Sequence, residues 1–221
     1  MCGACAVSGA LGLAACSEVG ETSPRDQSED ATPTTPEPMQ PTVMRAIDDH
    51  GTVHHEGHRV VGRDAAEVEV GFVFAEGPRP GPAVLRFSPI TSPATCIASA
   101  SLRVTIAAGD TGTPIAVYPG DPTIVAGAEG EELPSWQTLL DNQPRGVFEM
   151  DGQTSVADVT ELVRTWAAGG PFPSRGLTVD PALPLVLVVQ PEAAVSSQTF
   201  RLSMSEAGAS AAPTLTITET C

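Results

Sequence analysis

The chain predicts an all-β fold, an antiparallel sandwich with one short helix. Three features lead there. First, its periodic segments are short and mostly alternate apolar with polar side chains, as in VEVGFVF (68–74), LRVTI (102–106) and TLTIT (214–218). Second, glycine and proline number 21 each among 221 residues, which suits many turns and few long helices. Third, one segment alone has helical spacing. After Ser155–Val156–Ala157, which reads as the end of a strand, Val159, Leu162, Val163 and Trp166 fall at i, i+3, i+4 and i+7 and so share one helix face. The helix is expected over about 158–167. Asp158 or Thr160 is its N-cap, Asp158 and Glu161 have capping-box spacing, and Gly169–Gly170–Pro171 stops it. Its apolar face, Trp166 included, is expected to plug the sandwich.

Composition narrows the partners. Hydrophobic residues make up 41% of the chain but aromatics only 4%, so the core must be mainly aliphatic. Net charge is −16, and all 11 basic residues are arginine. Such a surface repels nucleic acid and anionic lipid headgroups, and no nucleic-acid partner is expected.

Residues 1–15 are small and mildly apolar, too short and glycine-rich for a membrane span. Leu13–Ala14–Ala15–Cys16 resembles the lipobox of bacterial lipoproteins, in which the signal peptide is cut before the cysteine and the cysteine carries the lipid. No Lys or Arg precedes the apolar run, unlike the positive start of an export signal, which leaves open a start upstream of Met1. Residues 16–46 then read as an acidic, Pro/Thr-rich disordered tether, densest at PTTPEPMQP, with too little apolar surface to offset its ordering entropy. Signal, lipidated Cys16, tether and a domain over 47–221 form the layout of an extracytoplasmic lipoprotein. Its membrane contact is the lipid anchor alone. Ser17 replaces the aspartate that favours inner-membrane retention in such proteins, so the outer membrane or cell surface is the expected address.

All four histidines, His50, His54, His55 and His58, lie in DDHGTVHHEGH. They read either as metal ligands or, the favoured reading, as a polar first strand with a solvent-facing histidine run; on one strand His54 and His58 would share a face. Further strands are expected at Arg59–Gly62, Val68–Phe74, Ala83–Phe87, Ile97–Ile106, Ile115–Tyr118, Val147–Met150, Leu185–Val189, Phe200–Met204 and Thr214–Thr218. Pro78–Pro82 reads as a loop, and Asp121–Asp141 as a long acidic loop containing Trp136. LVLVV (185–189) is apolar on both faces and so is expected to be buried on both.

Of five cysteines, three (Cys2, Cys5 and Cys16) lie at the N-terminus. With the signal removed and Cys16 lipidated, Cys96 and Cys221 are the thiols left, and an oxidising compartment favours a disulfide between them. Both sit beside strand ends. The alternative is two unpaired cysteines.

Three segments together resemble one family. Leu85–Arg86–Phe87 with Ile97, Ser99, Ala100, Leu102 and Arg103 is similar to its "LRF" strand and following "I-x-S-A-x-L-R" strand. Asp158, Thr160, Leu162, Val163 and Trp166 are similar to its "DVT-x-L-V-x-x-W" hallmark, and Ser205–Glu206–Ala207 with Pro213 and Leu215 to its closing pair of strands. This is the DNRLRE-type domain, or disaggregatase-related repeat, counted among carbohydrate-binding modules. The resemblance spans roughly 47–219 and implies a non-catalytic extracellular jelly roll that binds polysaccharide. Two departures stand out: the Trp-rich stretch between the halves is reduced to Ser135–Trp136, and Ser88–Pro89 replaces the aspartate usual after the LRF strand.

Sugar binding wants an aromatic platform with hydrogen-bonding groups beside it. Trp136 and Tyr118 are the candidates. No G-x-S-x-G or other nucleophile pairing is present, so no enzyme activity and no cofactor are expected. The alternative function is a structural or adhesion domain with a surface-protein partner. The protein is expected to be monomeric.

Overall fold

The computed structural model describes residues 40–55, 58–62, 65–72, 77, 79–109, 114–122, 132–134, 141, 143–151, 153–172, 177–192 and 198–221. In chain order its strands are β1 (Thr42–Arg45), β2 (Asp48–His55), β3 (His58–Gly62), β4 (Glu67–Phe72), β5 (Arg79–Phe87), β6 (Ile97–Gly109), β7 (Ile115–Pro119), β8 (Glu132–Pro134), β9 (Gly146–Asp151), β10 (Thr154–Asp158), β11 (Pro171–Phe172), β12 (Leu177–Thr178), β13 (Leu185–Pro191), β14 (Gln198–Ser203) and β15 (Thr214–Glu219). One α-helix, α1 (Thr160–Ala167), follows β10, and 3-10 turns stand at Ala94–Cys96 and Ser205–Ala207.

Thirteen strands make one antiparallel sheet in the order β1-β15-β6-β10-β9-β7-β13-β5-β2-β3-β8, with β14 and β4 branching from β6. The ladder narrows between β7 and β9 to two residue pairs, Ala116 with Val147 and Val117 with Gly146. The sheet is curled, consistent with the all-β, jelly-roll-like sandwich that the sequence predicts. The core is aliphatic, as the composition requires. β6 turns Ala100, Leu102, Val104 and Ile106 inward, and Leu185–Val189 of β13 is buried at every position. Across the body the Asp49 carboxylate accepts from the Ser205 amide (2.8 Å) and hydroxyl (2.6 Å), tying β2 to the second 3-10 turn.

Two boundaries differ from expectation. The end of the expected 16–46 tether is structured: Thr42–Arg45 is β1, paired with β15 from Thr42–Ile217 to Arg45–Thr214. The expected Pro78–Pro82 loop is in large part strand, since β5 starts at Arg79. Proline cannot donate to a ladder, and the surroundings accommodate this. β13 pairs with β5 only over Ala83–Phe87, the register with β2 slips between Gly51 and Val53, and the Thr52 hydroxyl donates to the Pro82 carbonyl at 2.9 Å.

The helix begins two residues later than the expected 158, because Asp158 still belongs to β10 and Val159 is the N-cap. The anticipated capping box does not form. Asp158 Oδ1 accepts from the Thr160 amide (2.8 Å) and hydroxyl (2.6 Å), while Glu161 pairs with Arg164 at 2.7 Å. The C-terminus stops as the glycines predict. Gly169 takes φ +66°, its amide bonds the Trp166 carbonyl, and the Gly170 amide bonds that of Thr165, a Schellman closure. Val159, Leu162, Val163 and Trp166 are all buried. The Trp166 ring stands 6.2 Å from Phe172, and its Nε1 lies 3.5 Å from the Leu183 carbonyl.

Cys96 and Cys221 form the expected disulfide, with Cα atoms 5.2 Å apart and a sequence separation of 125. Closing so long a loop removes entropy from the unfolded chain, by about 4–5 kcal/mol at most. The Thr220 amide bonds the Cys96 carbonyl (2.8 Å), and the Ser92 hydroxyl donates to Glu219, so the C-terminal strand is held by several groups at once.

Trp166→Ala is expected to cost about 3–5 kcal/mol, the range for removing a large buried aromatic. Urea denaturation reads it directly; a loss below about 1 kcal/mol would contradict the packing described.

Candidate functional site

The outward positions of five neighbouring strands share one side of the sheet, exposed or half-buried except at Thr214 of β15, which is 6% exposed beneath Arg103. In β6 the alternation leaves Ser99, Ser101 and Arg103 on this side, and in β10 it leaves Val156 and Asp158. Antiparallel register aligns them in rows across the sheet. One row runs Glu149 (β9), Val156 (β10), Arg103 (β6), Thr214 (β15), Arg45 (β1). The next runs Asp158 (β10), Ser101 (β6), Thr216 (β15), Val43 (β1), with Val147 of β9 beyond Asp158. Val43, Val147 and Val156 are 62%, 42% and 41% exposed, three of the five large apolar side chains exposed among the described residues.

A cleft of about 310 Å³ opens at one end of this surface, lined by Ser99, Ser101, Val147, Glu149, Val156, Asp158 and Thr160, with Ala100 at its floor. Its shape follows from the point where β10 leaves the sheet. The Val159 amide still reaches the Ala100 carbonyl (2.9 Å), but the Ala100 amide is taken by the Thr160 hydroxyl oxygen at 2.9 Å. The chain then rises into α1, and the space beside β6 is left open. Arg164 anchors the helix from the other side, its Nε on the Ile97 carbonyl (2.8 Å) and its NH2 on that of Ala98 (3.1 Å).

The hydrogen bonds from Thr160, hydroxyl first and amide second, hold the Asp158 carboxyl below its ordinary pKa, and Arg164 adds to this. Asp158 is thus an ionised acceptor and a poor base. The Thr160 oxygen already receives the Ala100 amide, so the Thr160–Asp158 contact is structural and not a primed nucleophile.

The residues singled out in sequence fare differently. Tyr118 is corrected: it is 3% exposed, part of the core, with its hydroxyl on the Glu192 carbonyl (3.3 Å), which leaves no ring face for a sugar. Its strand, β7, lies between β13 and β9, so the residue expected beside a loop stands inside the sheet. Trp136 and Cys16 lie outside the described residues. Of the expected solvent-facing histidine run, His50 is buried, and the four histidines are divided between β2 and β3. His50 is 2% exposed, with Nδ1 3.9 Å from Asp48. A hairpin separates the others, so the register sets His55 opposite His58 and His54 opposite Arg59, not His54 beside His58 on one strand. Among the described residues no three His, Cys, Asp or Glu side chains gather as metal ligands. The cleft residues Ser99, Ser101, Val147, Glu149 and Val156 were not anticipated. Their only signal in sequence is position on the polar side of an alternating strand, which most exposed residues share.

Together these features define an antiparallel β-sandwich with an open, hydroxyl-rich sheet face. No protein-family model matches the chain, and no curated protein matches it.

Asp158→Ala is expected to lower stability by about 1 kcal/mol at pH 7, as for loss of a side-chain cap. A carboxyl with a depressed folded-state pKa stabilises above its unfolded pKa, and that contribution disappears as pH falls through the folded value. The gap between the parent and Asp158→Ala in urea melts should therefore narrow on acidification. A gap independent of pH would show that Asp158 does not act through its charge.

Proposed function

We propose that the chain is a non-catalytic, membrane-anchored extracytoplasmic lipoprotein whose sandwich binds polysaccharide on the outer face of β9, β10, β6, β15 and β1. The observation that carries this is the cleft. It combines hydroxyls (Ser99, Ser101, Thr160) and carboxylates (Glu149, Asp158) with the exposed Val147 and Val156, a mixture suited to sugar hydroxyls and to the apolar faces of sugar rings. The resemblance of residues 47–219 to the DNRLRE-type domain supports the same reading. The exposed valines favour a second one, an adhesion domain with a surface-protein partner.

Glycan-array binding of the purified protein, compared with Glu149→Ala and Trp136→Ala, separates the two. The expected result is retention of one polysaccharide class, weakened roughly fivefold by Glu149→Ala through loss of a hydrogen-bond acceptor. Weakening by Trp136→Ala and not by Glu149→Ala would assign the site to Trp136 in place of the cleft, and no glycan binding at all would leave the adhesion reading.

The anchor is tested separately. In its native host the mature protein should begin at Cys16 with the added mass of a lipid; an intact Met1 or an unmodified Cys16 would remove this part of the proposal.

A further inference from the structure

The cleft is one end of a longer surface. We infer that the site continues from the cleft across β6 and β15 to β1, and that its ligand is an extended, uncharged glycan chain lying across the strands; this rests on the polysaccharide-binding reading above. The register is the first ground. Asp158, Ser101, Thr216 and Val43 stand in one row on successive strands, and Glu149, Val156, Arg103, Thr214 and Arg45 in the row beside it. Four strand spacings separate β9 from β1, so the strip is about 19 Å long, enough for several sugar units in line. A ligand confined to the cleft would use only its first part.

Side-chain chemistry is the second ground. Hydroxyls occupy the middle of the strip at Ser101 and Thr216, and exposed valines stand at both ends, Val147 in the cleft and Val43 on β1. A glycan chain offers this alternation of hydrogen-bonding edges and C–H faces along its length. Charge is the third ground. The protein as a whole carries −16, yet this strip holds two acids, Glu149 and Asp158, at one end and two arginines, Arg103 and Arg45, towards the other. The strip is balanced where the chain is not. A polyanionic chain would meet the carboxylates at one end and the net negative molecule everywhere else; a polycation would meet the arginines. An uncharged chain meets neither penalty. Arg103 is also partly engaged, its Nε donating to Thr214 Oγ1 at 3.2 Å, which holds one donor in place without requiring an anion.

The test uses the full chain with uncharged β-linked glucose, mannose and N-acetylglucosamine oligomers of two to six units, and galacturonate oligomers as the anionic comparison, by titration calorimetry. Affinity for one uncharged series should rise with every unit added. Val43→Asp and Arg45→Ala, both on β1 and two strands away from β6 at the edge of the cleft, should each weaken the hexamer roughly fivefold and leave the dimer unchanged. A plateau at two or three units, or hexamer binding indifferent to both variants, would confine the site to the cleft and overturn the extension while leaving polysaccharide binding intact. Galacturonate binding as tight as the uncharged series would overturn the charge argument. Absence of binding by all oligomers would overturn both this inference and the proposed function. Self-association abolished by Val43→Asp would assign the strip instead to a second copy of the chain.

Discussion

Much of this domain depends on how the backbone of β6 is satisfied at Ala100. β10 pairs with β6 up to Asp158 opposite Ser101 and then has to leave, because the helix must enter the core. A buried amide left behind would cost about 1–3 kcal/mol. Asp158–Val159–Thr160 resolves this in three residues. Val159 keeps the last ladder bond, Thr160 supplies an oxygen to the Ala100 amide, and Asp158 orients that hydroxyl. From there the consequences spread in both directions along β6. The helix delivers Trp166 to the core, and Arg164 takes the carbonyls of Ile97 and Ala98. Immediately before Ile97 stands Cys96, bridged to the C-terminus. On the outer side the same departure of β10 leaves the cleft.

This explains which parts were legible in sequence. The helix face was readable because a 3.6-residue period stands out in a chain of alternating strands, and the Gly169–Gly170–Pro171 stop follows from backbone sterics alone. LVLVV announced a strand buried on both sides for the same kind of reason. The disulfide was reachable from two facts, the count of cysteines and their places beside strand ends. Helix capping was less legible, since Asp158 with Glu161 fits a capping box and also fits what occurs, an aspartate serving the next residue but one while Glu161 serves Arg164. The choice is made by β6, which is distant in sequence.

Tyr118 shows the opposite failure. An amphipathic ring near a strand end fits a ligand platform as well as a core position, and only pairing on both sides of β7 decides between them. The proline segment before Ala83 failed for a related reason. Proline argues against a central strand, but here it lies past the last β5–β13 pair, Ala83 with Val189, where the ladder on that side has ended. In both cases the missing information is which strand lies next to which. The cleft is hidden more deeply, because its rows exist only once register is fixed. Val43 and Val156 are more than a hundred residues apart in sequence and three strand spacings apart in the sheet, separated by β15 and β6.

The shortage of aromatics also sets how such a surface can bind. In the proposed role, with no aromatic ring among the described cleft residues, each sugar unit there would be held by a few hydrogen bonds and a small apolar contact, and a typical hydrogen bond nets only about 0.5–1.5 kcal/mol. No single subsite can then be strong. Affinity has to accumulate along the chain, which a row of similar side chains on successive strands permits and a single deep pocket does not. A repeating ligand presents many equivalent registers to such a strip, and in the proposed role many copies of the domain share one membrane surface. Rebinding within that surface occurs at a high effective concentration, so weak individual contacts can produce firm attachment.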